Sequence, residues 1–161
     1  MSFKSSITGY KQVVQNNPLR LKITSEELAR IKRDYNPSNA VWRKFLSDVR
    51  TILQEETQRR FDTETDPNGV PWTKLRRPRP GKGILDKTSH MRNSFTYPIR
   101  TDPSAFKRWV ELQVRIDVPY SRFHQEGTVK MVARPFLGFT GRMWLRIERL
   151  IRDFERQQRI R

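Results

Sequence analysis

The most regular hydrophobic pattern in the chain lies within residues 41–60. Apolar side chains recur there at three- and four-residue spacing, and the window contains neither glycine nor proline, so the pattern predicts an amphipathic helix. Its apolar stripe consists of Val41, Trp42, Phe45, Leu46, Val49, Ile52 and Leu53. Asn36 as the cap and Pro37 at the first helical position predict where this helix begins, and we expect it to end near Arg60.

Two other segments also have helical spacing. Thr24 and Glu27 match a capping box, which predicts a short helix over about 24–34. A C-terminal helix is predicted from about Gly141, with an apolar stripe formed by Met143, Trp144, Ile147, Leu150, Ile151 and Phe154. The remainder of that helix is rich in arginine, namely Arg142, Arg146, Arg149, Arg152 and Arg156.

Alternation of apolar and polar residues marks the strands. It is strict over 110–118, which predicts a half-buried antiparallel strand. Residues 95–100 alternate as well, and Pro98 places that strand at a sheet edge. A third strand is predicted over 129–133, and a single turn of helix over 88–93. The expected fold class is therefore α+β, with long N-terminal helices and a C-terminal helix packed on a small antiparallel β-sheet.

Segments without a regular hydrophobic spacing predict the arm and the loops of the domain. Residues 1–23 show none, and we interpret them as an arm that gains order against a partner on assembly. Residues 24–161 are interpreted as a single α+β domain without internal repeats. Residues 74–83 combine basic side chains with proline and glycine, which predicts an extended, exposed and mobile basic loop.

Composition excludes several classes of protein. In 161 residues there is no stretch near the roughly 20 consecutive apolar residues that span a bilayer, so no membrane partner is expected. The first residues lack the apolar core of a signal peptide, and we expect the chain to stay in the compartment where it is made. Cysteine is absent, which excludes disulfides and every thiolate-based site.

The strongest compositional signal is charge. Thirty-three Lys and Arg residues against 17 Asp and Glu residues give a formal net charge of +16, which indicates a polyanionic or acidic partner. The charge does not distinguish nucleic acid from an acidic protein surface. The candidate contacts in the basic loop are Lys74, Arg76, Arg77, Arg79 and Lys82. No sequence-reading motif for DNA is present, so any DNA binding is expected to involve the phosphate backbone and to depend strongly on salt.

The residues do not form a catalytic or metal-binding pattern. His90 and His124 are the two histidines, and neither has the second histidine four residues away that zinc peptidases need. The acidic residues of 62–66 lack the glycine and glutamate of a calcium loop, and Gly81-Lys82-Gly83 lacks the Ser or Thr that holds magnesium in a phosphate loop. We expect a protein without enzymatic activity, catalytic residues, cofactor or metal.

Four short motifs follow one another in the second half of the chain. The first is 61–72, in which Asp-Pro-Asn-Gly leads to Trp72. The second is 84–94, the third is 118–127 with Tyr-Ser-Arg-Phe-His-Gln-Glu-Gly at its end, and the fourth is 133–138 with the sequence Ala-Arg-Pro-Phe-Leu-Gly. Together they resemble the phage virion morphogenesis family, whose members include tail-completion proteins of Mu-like and related contractile-tailed phages.

The resemblance covers about residues 58–155, with small departures. The family commonly has Leu-x-x-Thr-Gly-x-Leu-x-x-Ser in the second motif, where this chain has Ser89 and Met91 in the places of the glycine and the second leucine. It has Ser121 where the family's third motif has alanine. The fourth motif matches residue by residue.

What the resemblance implies is a structural protein of the virion, a tail-completion, tail-terminator or neck component. It would form a ring at the head–tail junction and join the tail to a filled head, with assembly in the host cytoplasm. The implied partners are copies of itself, a hexamer by analogy with tails, the neighbouring neck or connector proteins, and tail-tube or sheath proteins. Contact with genomic DNA in the channel is also implied.

The shared residues are candidates for packing and for interfaces. We expect Trp72, Tyr120, Pro135 and Phe136 to shape the fold, with the two large aromatics Trp72 and Phe136 as anchors. The remaining candidates are Gly127, for a backbone angle that other residues resist, and His124, Gln125 and Arg134. We predict that these last three tie the segment after the long strand to the sheet or to a neighbouring subunit.

The residues leave two other functions as alternatives. One is a sequence-independent DNA-binding protein used in packaging or compaction, which the net charge favours. The other is a small hydrolase acting during entry, which would depend on His124 or Glu126.

Overall fold

The computed structural model describes residues 10–16, 19–101 and 108–160. In chain order these residues form β1 (Lys11–Asn16), β2 (Leu19–Ser25), α1 (Glu26–Tyr35), α2 (Asn39–Thr63), α3 (His90–Asn93), β3 (Phe95–Thr96), β4 (Ile99–Thr101), β5 (Val110–Ile116), α4 (Ser121–Glu126) and α5 (Gly141–Arg159). The fold is α+β, as predicted.

One antiparallel sheet contains all five strands. Its order is β1-β2-β5-β3, and β4 also pairs with β5. The predicted strand over 110–118 is confirmed as β5. The predicted edge strand over 95–100 is confirmed in position, but Tyr97 and Pro98 divide it into β3 and β4. Proline has no N–H to donate, and the carbonyl of Pro98 accepts a hydrogen bond from Gln113 N at 2.9 Å.

The sheet begins earlier in the chain than predicted. β1 and most of β2 lie within residues 1–23, which we interpreted as an arm, and β2 pairs with β5 from Arg20 to Ser25. Leu19, Leu21, Ile23 and Ser25 point inward in strict alternation and are buried. Three alternating apolar residues are too few to identify a strand from sequence, and pairing with β5 is what fixes the strand. Residues 1–9 and 17–18 of the predicted arm lie outside the described residues.

Helix boundaries differ from the predicted caps by one or two residues. Ser25, the last residue of β2, caps α1, and its Oγ accepts from Leu28 N at 3.2 Å. Asn36 ends α1 in the left-handed region, at φ 38°, and Ser38 caps α2 instead. The predicted strand over 129–133 is wrong, since the chain forms only an isolated bridge from Thr128 to Met131.

The core lies between the helices and the sheet. α2 and α5 pack together through rings such as Phe45 and Phe154, whose centroids are 4.9 Å apart. Arg146 of α5 strengthens this pair by contacting Glu55 and Glu56 of α2. No helix in the described ranges has the length and apolar composition needed to cross a membrane.

Candidate interaction site

Residues 134–139, between the third motif and α5, lie inside the protein without belonging to a strand. Arg134, Phe136, Leu137 and Phe139 are all buried, and Phe136 is completely inaccessible. Buried backbone groups that lack a hydrogen bond are destabilising, so an extended segment without a neighbouring strand needs other partners. Side chains from distant parts of the chain supply them.

Two glutamine side chains replace a neighbouring strand. The amide of Gln125 accepts from Phe136 N and Leu137 N, at 3.0 and 2.9 Å, and donates to Leu137 O at 3.1 Å. The amide of Gln12 does the same for Phe139, with 2.9 Å to its N and 3.0 Å to its O. A primary amide carries the donor and acceptor of a peptide group, which explains why glutamine fits both positions.

Arg60 holds the same segment from α2. Its guanidinium donates to Phe136 O at 2.7 Å and to Gly138 O at 2.6 Å, and lies 3.3 Å from Met143 Sδ. Burial lowers the pKa of Arg60 to about 10, and the negative charge of Glu56 acts in the opposite direction. The side chain is therefore still charged at neutral pH, and the carbonyl oxygens that accept its hydrogen bonds stabilise the charge.

The first and fourth motifs meet through reciprocal hydrogen bonds. Trp72 Nε1 donates to Pro135 O at 2.8 Å, and Arg134 Nε donates to Thr73 O at 2.8 Å. Gly138 packs so closely on Pro67 that a Cβ at that position would lie 2.6 Å from the proline Cγ. The anchors Trp72 and Phe136 both contact the ring of Phe61.

The third motif forms α4, which the sequence did not predict, and the turn that follows it. Gly127 has a φ of 77°, and a Cβ there would lie 2.8 Å from Ala133 N, so only glycine fits. His124 O accepts from Arg134 N at 2.7 Å. The His124 ring contacts Tyr120 edge-on, its buried Nδ1 has no hydrogen-bond partner among the described residues, and burial together with Arg134 lowers its pKa.

The structure thus brings most of the predicted packing residues together. Gln125, Arg134, Pro135, Phe136 and Trp72 form one connected network, which His124 joins through the hydrogen bond from Arg134 N to its backbone oxygen. Gly127 packs against Ala133, whereas the side chain of Tyr120 is exposed and lies outside the network. Sequence reasoning missed Arg60 and Gln12. Arg60 continues the buried stripe of α2 beyond Leu53 and Thr57, which is a signal that was present in the sequence. Gln12 had no comparable signal.

The basic loop contrasts with this network. Lys74, Arg76, Arg77 and Lys82 are exposed, as predicted, and none of them forms an ion pair within the described part of the chain. Arg79 differs, because its guanidinium folds back and donates to Ile84 O at 2.9 Å. The five candidate contacts therefore divide into four that face solvent and one that supports the loop.

Arg79 also lines a pocket of about 400 Å³ that lies among the basic loop, α3 and α4. Its wall contains two predicted site residues, Tyr120 and His124. The other lining residues are Ile84, Leu85, Lys87, Thr88, His90 and Met91. No group of three or more His, Cys, Asp or Glu side chains in the described ranges is arranged to hold a metal ion.

The fold and the site define a small α+β protein in which side chains of the first and third motifs hold the backbone of residues 134–139. The model of the phage virion morphogenesis family matches residues 25–154, from the end of β2 through most of α5. The chain therefore belongs to the phage virion morphogenesis family, and is a bacteriophage structural or assembly protein associated with the virion. The match extends well beyond the four motifs and includes α1 and α2. Comparisons with the curated proteins and with the solved structures find no match.

Proposed function

We propose that this protein is a tail-completion, tail-terminator or neck component that forms a ring at the head–tail junction and joins the tail to a filled head. The observation that carries the proposal is the family match over residues 25–154. In this role the protein works by shape and contact, without catalysis or a cofactor. Arg60, Gln125 and Trp72 serve as internal backbone partners, so packing accounts for these three residues.

One stretch of the chain that is rich in exposed hydrophobic side chains supports self-association. Eight large hydrophobic side chains are exposed among the described residues, and four of them lie within residues 120–132. We call these four the 120–132 patch, and its members are Tyr120, Phe123, Val129 and Val132. Clustered exposed apolar residues are typical of protein interfaces. In a head-to-tail ring each subunit gives one surface and receives another, and closure with six subunits is our expectation by analogy with tails.

The test of the assembly role uses phage in which translation of this protein is blocked. We expect filled heads and finished tails to accumulate separately, and addition of the purified protein to restore joined, infectious particles. Lysates are examined by electron microscopy and titred before and after the addition. Mature particles that lack the protein yet remain whole and infectious would contradict the proposal.

The test of the ring uses the 120–132 patch. Phe123→Asp with Val129→Asp introduces charge at two exposed positions, so we expect the fold to be retained and the ring to dissociate into monomers. The matched control is Leu145→Asp on α5, an exposed leucine outside the patch. Native mass spectrometry measures both. A wild-type protein that is monomeric at every concentration would refute the ring.

The four exposed cations of the basic loop support contact with an acidic neighbouring ring or with genomic DNA in the channel. They also favour the second candidate function, a sequence-independent DNA-binding protein used in packaging or compaction. Salt titration of DNA binding separates the two. Tight binding by a monomer with a steep salt dependence would favour the second candidate, whereas a ring that survives high salt would favour the first.

A further inference from the structure

The pocket among the basic loop, α3 and α4 combines an apolar floor with a basic rim. Leu85 and Met91 are buried beneath it, and Ile84 is partly buried beside them. Arg79 and Lys87 supply positive charge at the wall, and the imidazoles of His90 and His124 add nitrogen atoms. None of the residues described as lining the pocket is acidic. The acidic residue in the same stretch, Asp86, pairs with Arg92, 3.8 Å away.

This chemistry selects the kind of ligand. Arg79 and Lys87 favour an anionic group, and the apolar floor favours a hydrophobic side chain beside it. A DNA backbone offers phosphates and sugars and would leave the floor over Met91 uncovered. A peptide segment that places a carboxylate next to an apolar residue satisfies both features. A second copy of this chain is a poor source, because it carries a net charge of +16.

Hydrogen bonds within the protein hold the walls of the pocket in place. Arg79 is held by the carbonyls of Gly83 and Ile84, at 3.4 and 2.9 Å, and the backbone N of Ile84 donates to Glu64 Oε1 at 2.7 Å. On the opposite side, α4 is attached to residues 134–137 through His124 and Gln125. A preformed site loses little conformational freedom on binding.

We propose that the pocket lined by Arg79, Lys87, Met91, Tyr120 and His124 is the docking site for an acidic segment, with at least one apolar anchor, of a neighbouring virion protein. The inference rests on the proposed function, since it takes the partner from the adjoining ring of the neck or tail. It assigns the basic wall of the pocket to protein recognition. The outward cations of the basic loop remain free for other contacts.

The experiment uses the full chain and a fluorescein-labelled peptide in which glutamate and aspartate alternate with leucine and phenylalanine. Binding is measured by fluorescence anisotropy and located by NMR of the Met91 methyl group and the His124 ring. Lys87→Glu, at an exposed position, should weaken binding by about tenfold or more, and Arg79→Glu with Lys87→Glu should abolish it. The matched control is Arg149→Glu with Arg152→Glu on α5, which has the same change of charge and should alter affinity less than about twofold.

Three outcomes would overturn the inference. The first is no peptide binding at all, and the second is binding that leaves the Met91 and His124 resonances unchanged. The third is displacement of the peptide by random-sequence duplex DNA with the same resonances shifted, which would identify a phosphate site. Native mass spectrometry of the same samples reports ring formation separately. A ring without peptide binding removes this inference alone, whereas a monomer that binds the peptide removes the proposed ring and leaves the pocket's ligand class standing.

Discussion

Residues 134–139 and the basic loop 74–83 both lack regular secondary structure, but they use arginine in opposite ways. Around the first segment, Arg60 and Arg134 point inward and donate to backbone carbonyls. In the second, Arg76 and Arg77 point to solvent and contribute net charge. Arg79 lies between these cases, since it supports its own loop and lines a pocket.

The difference shows that residue type alone does not reveal what an arginine does. A guanidinium has five donors in a fixed geometry, which makes it suitable both for crosslinking carbonyls and for binding external anions. Burial decides which use applies. The inward arginines should therefore affect folding, and the outward ones should affect binding.

The largest loss of stability should come from substituting Arg60, one of the inward arginines. Arg60→Met removes the donors to the buried carbonyl of Phe136 and to the partly buried carbonyl of Gly138, and we expect a loss of about 2–4 kcal/mol in the free energy of unfolding. Urea unfolding measures it. Arg59→Met is the matched control, because Arg59 is exposed and lies 3.8 Å from Glu56, and it should cost under about 1 kcal/mol. Equal losses in the two variants would show that Arg60 does not hold the segment.

A slightly smaller loss of stability is expected from a substitution at Gly127, in the turn that connects α4 to the 134–139 segment. Gly127→Ala forces a Cβ against Ala133 N at a positive φ, and we expect a loss of about 2–3 kcal/mol in the free energy of unfolding. Gly69→Ala has a similar φ of 85° but nothing within 4 Å of the added atom, so it should cost about 1 kcal/mol. Thermal unfolding of both proteins gives the comparison. If Gly69→Ala proved the more harmful change, the close contact at Gly127 would not be what requires glycine there.

His124, which lies beside the inward Arg134, should make the free energy of unfolding depend on pH. Its pKa is lowered in the folded protein by burial and by Arg134, so on acidification the unfolded chain takes up a proton first. The free energy of unfolding should therefore fall as pH decreases below about 6.5, the ordinary pKa of histidine, and the loss should be small because the ring is only half-buried. Urea midpoints of the wild type and His124→Gln at pH 7.5 and 5.5 isolate this contribution. A wild-type protein that gained stability relative to the variant at pH 5.5 would reverse the assigned direction.

The smallest effect on stability should come from substituting the outward arginines of the basic loop. Arg76→Glu with Arg77→Glu changes two exposed residues that have no ion pair in the described structure, so the free energy of unfolding should change by less than about 0.5 kcal/mol. The same variant should lose head–tail joining or retention of packaged DNA, measured by particle counts and infectivity. Intact joining and DNA retention would rule out the proposed role of the loop.

The long periodic elements were predictable from the sequence because their patterns persist over many residues. α2, α5 and β5 are confirmed, as is the exposure of the basic loop. Short elements were not. β1, β2 and α4 occupy segments with too few apolar positions for a period to appear, and β1 and β2 are defined by pairing within the sheet.

The sequence by itself determined the fold class, the strong positive charge and the motifs that identify the family. Only the tertiary structure decided which side chain serves which backbone group. Trp72 meets a carbonyl 63 residues further along the chain, and Gln12 meets one 127 residues away. The physical reason is that a hydrogen bond depends on distance and angle in three dimensions, and neither is encoded in local spacing.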